Sequence, residues 1–119
     1  MSALQLDFAT TVRHDNGILE IIPHHGIEIS EQDIAELKQL VNSLGEQVLV
    51  LVNRQNDYSH SFDAIQAIRR FCRSHRIAAL APTHTSKKIT ATILGTPSGP
   101  YEPAIFDNRD QAINWLLTE

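Results

Sequence analysis

Apolar positions alternate loosely from Gln5 to His14, with Leu6, Phe8 and Val12 forming one set, and this pattern predicts a half-buried strand. Asp15-Asn16-Gly17 follows as a turn signal, because Asn and Gly tolerate the positive φ angles of a tight hairpin. Ile18 to Ile22 predicts a second strand, closed by Pro23, which cannot donate to a ladder. The period then lengthens. Ile34, Leu37, Leu40, Val41 and Leu44 recur at helical spacing. Ser30 with Asp33 is close to a capping box at the start of that helix, and Gly45 is a stop.

Val48-Leu49-Val50-Leu51-Val52 is an unbroken apolar run, short enough for a strand covered on both faces, as in parallel sheets. A second helix is expected from Ser61 to about His75, with Phe62, Ile65, Ile68, Phe71 and Cys72 turned inward. Ile77 to Ala81 reads as another buried strand, ended by Pro82. Ile89 to Ile93 alternates like a strand, but cap residues at Thr83–Thr85 and the terminal Gly95 favour a third helix, with Ile89, Ile93 and Leu94 inward. Thr96 to Pro100 is loop, and Pro103 to Phe106 a last strand. Asn108 with Gln111 opens a terminal helix packed through Ala112, Ile113, Leu116 and Leu117, with Trp115 on or beside that face. The order β-β-α-β-α-β-α-β-α predicts one α/β domain over residues 1–119, a mixed, mostly parallel five-stranded sheet with about four helices.

Composition narrows the function classes. The net charge is −4, which lacks the broad basic footprint of a nucleic-acid binder. The single cysteine, Cys72, permits no internal disulfide and no CxxC zinc pattern, and fits a reducing compartment. No basic-then-apolar leader opens the chain, and no run approaches the ~18 apolar residues of a membrane span. The expectation is a soluble cytoplasmic protein without membrane insertion. Six histidines invite a metal reading, but no His-x-x-x-His or carboxylate pairing supports one, and no cofactor is implied.

Candidate chemistry gathers where the central strand ends, because α/β proteins place their sites at the carboxyl edge of the sheet. Asn53, Arg54, Asp57, Tyr58 and His60 follow that strand, and Thr83, His84, Thr85 and Lys87 follow the next. Neighbouring junctions of a parallel sheet face one edge, so the two groups are expected to approach each other. An arginine beside free helix amides suits a carboxylate or phosphate. The plainer reading of both groups is solvated loop and helix capping, with Ser61 as the cap of the second helix. Ser59-His60-Ser61 does not read as a nucleophile, since chain neighbours rarely align as base and acceptor and no Gly-x-Ser-x-Gly elbow is present. Arg69, Arg70, Arg73 and Arg76 read as a solvated helix face.

Three stretches together resemble the STAS family, the sulphate-transporter and anti-sigma-factor-antagonist fold. These are the hairpin leading to Ile29-Ser30-Glu31-Gln32-Asp33, the buried strand feeding Ser59 and Ser61, and the ending Ile105-Phe106-Asp107-Asn108 with Ala112-Ile113-Asn114-Trp115-Leu116. The resemblance implies a small bacterial non-enzymatic regulator that docks a protein partner, or a second copy of itself, through the 53–61 loop and the second helix. It also implies a serine at the start of that helix that a kinase phosphorylates, carried here onto Ser61, with Ser59 second. Phe62 stands where the family's motif has a small residue. The alternative function is a binder of a small anionic or amphipathic ligand between the 53–61 and 82–88 loops.

Overall fold

The computed structural model describes residues 2–45, 48–72, 75–94 and 104–118, with backbone alone for 2–5, 72, 93 and 94. It is an α/β domain with four helices and a mixed, mostly parallel sheet. The strands are β1 (Ser2–Gln5), β2 (Ala9–Arg13), β3 (Ile18–Pro23), β4 (Glu28–Ile29), β5 (Leu49–Asn53), β6 (Ser59–His60), β7 (Ile77–Leu80) and β8 (Ala104–Phe106). The helices are α1 (Glu31–Leu44), α2 (Phe62–Cys72), α3 (His84–Leu94) and α4 (Arg109–Leu117). The main sheet runs β1-β2-β3-β5-β7-β8, antiparallel across its first three strands and parallel thereafter. The five expected strands are joined by a sixth, β1, because the stretch from Gln5 to His14 folds back on itself. Leu6 and Ala9 exchange backbone hydrogen bonds across Asp7-Phe8, and Phe8 drops into the core.

Local chemistry explains the boundaries. Gly17 has φ +91°, and its N–H donates to the His14 carbonyl in the turn that Asn-Gly allows. The Ser30 hydroxyl accepts from the Asp33 amide while the Asp33 carboxylate accepts from the Ser30 amide, a complete capping box. The Asn108 side chain accepts from the Gln111 amide at the start of α4. The stop at Gly95, the loop over 96–100, the strand start at Pro103, Arg73, and the side chains of Cys72, Ile93 and Leu94 lie outside what is described.

The parallel strands advance in one direction across the sheet, so right-handed crossovers carry α1, α2 and α3 to one face. Leu19, Ile21, Val50 and Ile77 meet Ile34, Leu37, Val41, Ala64 and Phe71 there. The chain then turns back after β8, and α4 covers the opposite face, where Ile18, Leu51, Ala78 and Leu80 pack on Ala112 and Leu116. Val50 and Leu51 are both fully buried, the consequence of a central strand covered on both sides.

Two helix phases differ from expectation. Phe62 is 72% exposed, and Ala64, Ala67, Ile68 and Phe71 form the packed side of α2. The helix starts at Phe62 itself, and Ala64 in the same turn is the first of its residues to pack inward. On α3, Ile89 is 46% exposed and Thr90 takes the inward position, which it can do because its hydroxyl donates to the Ser86 carbonyl at 2.7 Å. Among the described residues no helix is long and apolar enough to cross a membrane.

Candidate functional site

The short parallel pair β4·β6 aligns the openings of α1 and α2. Ile29 is in register with His60, and the Ser61 amide donates to the Ile29 carbonyl. The caps Ser30 and Ser61 therefore stand side by side. Ser61 is the N-cap of α2: its hydroxyl accepts from the Ala64 amide at 3.1 Å. Ser59 is exposed on β6.

Beneath this pair lies an apolar cavity of about 80 Å³. Its floor is one row across the sheet, Ile21, Val52 and Ala79, which are in register on the helix-covered face. Ile34 and Leu37 of α1 and Ile68 and Phe71 of α2 wall it, and Thr90 reaches it from α3. The rim comes from the segment after β5. Side chains alternate along an extended chain. Val52 faces the cavity, Asn53 the opposite side, and Arg54 the cavity again. The Arg54 amide donates to the Leu80 carbonyl, prolonging the sheet by one residue and fixing that parity.

Arg54 is only 9% exposed, and its Nε is buried without a hydrogen-bond partner. Among the described residues its guanidinium makes no ion pair; its contact is with the Tyr58 ring, 4.6 Å from the ring centroid. Tyr58 meets His60 edge-on at 5.4 Å. Burial pushes the Tyr58 hydroxyl up to about 12, against the opposing pull of Arg54, so the ring is neutral at pH 7. Burial lowers His60 to about 4, and the Arg54 charge adds to the effect, so the imidazole is neutral too. One formal positive charge thus stands over apolar walls. Its desolvation costs several kcal/mol, whereas a cation–π contact returns about 0.5–2 kcal/mol, so the balance favours an incoming anion.

The other residues singled out from the sequence lie elsewhere. Asp57 is exposed, its amide donating to His25 Nδ1 at 3.4 Å and its carbonyl accepting from Gly26. Thr83, His84, Thr85 and Lys87 are exposed and line no part of the cavity. Thr83 caps α3 by accepting from the Ser86 amide at 3.0 Å, and Lys87 stands 3.9 Å from the Asp107 carboxylate. The expected approach of the two junctions is carried into the cavity by Thr90 rather than by residues 83–88. The arginines expected along the second helix do not share one surface: Arg69 and Arg70 are on α2, whereas Arg76 follows it. Arg76 lies under α4, 3.9 Å from the Trp115 ring centroid, and donates to the Trp115 and Thr118 carbonyls at 2.6 and 2.7 Å.

Asn53 belongs to a second cluster, on the α4 face, that the sequence reading missed. Glu20 is 3% exposed in β3 and accepts from Asn53 at 2.9 Å, from His14 Nε2 across 2.7 Å, and from both terminal nitrogens of Arg109. Burial would raise its carboxyl; the bonds from Arg109, Asn53 and His14 and the Arg109 charge outweigh that and hold it at about 2. Every acceptor position is used, so the cluster is a clamp between α4 and the sheet. A glutamate in the middle of an otherwise apolar strand was the available signal. Among the described residues no group of three His, Cys, Asp or Glu side chains has metal-binding geometry.

No family model, curated protein or solved structure matches the chain.

Proposed function

We propose that this domain is a non-enzymatic binding module that holds a small amphipathic anion, its charge on Arg54 and its body in the cavity. The carrying observation is a nine-tenths-buried arginine on the rim of an apolar cavity, its Nε buried without a hydrogen-bond partner and, among the described residues, its charge without an ion pair. Folding gains nothing from such a charge, and replacing buried ionic groups with apolar ones of similar size often stabilises by about 1–4 kcal/mol. Arg54→Met should therefore unfold at higher denaturant concentration than the parent chain. Clear destabilisation of this variant, by about 1 kcal/mol or more, would make Arg54 a structural residue and remove the site.

A second reading rests on Phe62. An apolar ring 72% exposed directly after the cap Ser61 suits a protein partner docking on the 53–61 loop and α2. Phosphate on Ser61 would add charge at that helix start and alter docking. This is the behaviour implied by the resemblance to STAS regulators of the bacterial cytoplasm, and the pattern of a buried strand leading to a serine-capped helix supports it. Pull-down from native cytoplasm with the parent chain, Phe62→Ser and Ser61→Asp tests it. Capture of the same partner in equal amount by all three removes the docking surface.

A further inference from the structure

Resting on the ligand-binding reading above, we infer that the cavity selects a monocarboxylate with a compact apolar body, and rejects both phosphate esters and long acyl chains. Three observations point this way. The first is charge. Arg54 supplies one positive charge, while Tyr58 and His60 are neutral at pH 7, so a monoanion leaves nothing uncompensated and a dianion would leave a charge buried against hydrocarbon.

The second is donor count. A guanidinium offers parallel N–H groups that match the two oxygens of a carboxylate, and the unpartnered Nε leaves one such edge free. A phosphate wants further donors around its third oxygen. Thr90 does not supply one, because its hydroxyl hydrogen is committed to the Ser86 carbonyl. The Tyr58 O–H and His60 N–H are the remaining donors at the rim, and both groups are neutral, so neither offsets the second charge of a phosphate ester.

The third is size. The cavity measures about 80 Å³ as room for the centres of water molecules. A closed cavity of about 150 Å³ holds a benzene ring, so this smaller space, open at its rim, takes at most a body of about that size, a single ring or a short chain, with part of it at the mouth. Each methylene buried within it should raise affinity about fourfold, and carbons beyond it should add nothing. Phe71, Ile21 and Leu37 give the body its apolar contacts.

The test is calorimetric titration of the full chain and of Arg54→Met with sodium benzoate, hexanoate, hexadecanoate, benzyl alcohol and phenyl phosphate. Circular dichroism establishes that both proteins are folded. Benzoate or hexanoate should bind the parent chain one to one and lose at least about tenfold in affinity on Arg54→Met. Benzyl alcohol and phenyl phosphate should bind the parent chain at least about tenfold more weakly than benzoate. Phenyl phosphate binding as tightly as benzoate, with Arg54→Met weakening both, overturns the carboxylate selection while leaving the ligand site standing. Hexadecanoate binding more tightly than hexanoate overturns the size limit. If no probe binds at millimolar concentration, or binding ignores Arg54→Met, the ligand-binding reading itself fails and this inference with it.

Discussion

Glu20→Gln tests the clamp between α4 and the sheet with a magnitude that follows from the structure. The carboxyl is held at about 2 in the folded chain against 4.5 for the ordinary group. At about 1.4 kcal/mol per pH unit, that difference is worth about 3 kcal/mol. The sign follows from proton binding. Between pH 4.5 and about 2 the unfolded chain is protonated at this position and the folded chain is not, so stability rises with pH through that window. The contribution is fully present above 4.5 and is lost as pH falls through about 2. Gln imitates the protonated acid, and its amide turns two donors toward Arg109, which has only donors. Removing one partner of a buried pair costs about 3–5 kcal/mol, and the lower end applies because the Arg109 side chain is 42% exposed and partly screened. Both routes give about 3 kcal/mol, a large share of the about 5–15 kcal/mol available to a domain. Urea unfolding at pH 7, 5, 4 and 3 measures it. Glu20→Gln should be about 3 kcal/mol less stable at pH 7, and its stability should fall less steeply on acidification than that of the parent chain. Equal acid slopes for the two proteins would show that Glu20 does not carry the linkage.

Ser61→Ala should cost about 1 kcal/mol through loss of the α2 cap, whereas Ser61→Asp, which also caps, should cost little; urea midpoints that place the two substitutions together would remove Ser61 from the cap. Arg76→Ala should cost about 1–2 kcal/mol by freeing two carbonyls at the end of α4 and the face of Trp115, and it should shift tryptophan emission; unaltered emission with unaltered stability would mean that Arg76 does not hold that helix.

The parts of the fold that were legible in advance are those governed by neighbours in the chain. Ser30 and Asp33 close a capping box wherever a helix begins, and Asn16-Gly17 turns because of its own φ preferences. The run 48–52 signalled a doubly covered strand through its apolarity alone. The candidate rim was legible only in part. Residues 53–61 were read as one polar group, yet extended backbone continues past the apolar run and sorts them by parity. Arg54 goes to the cavity and Asn53 to Glu20, 33 residues earlier. Continuing the period of two by two residues would have separated them.

Sequence by itself determined the α/β class, the alternation of the main strands with four helices and the helix caps, because these follow from side-chain periodicity, φ preferences and short-range hydrogen bonds. Only the tertiary structure decided which charges are paired. Arg109 lies 89 residues from Glu20 and neutralises it, and its reach depends on α4 crossing to the opposite face after β8. Among the described residues Arg54 is left without an ion pair, in the same packing that roofs its cavity with α1 and α2. Burial sets the cost of a charge, and burial is a property of the assembled layers, which local patterning does not encode.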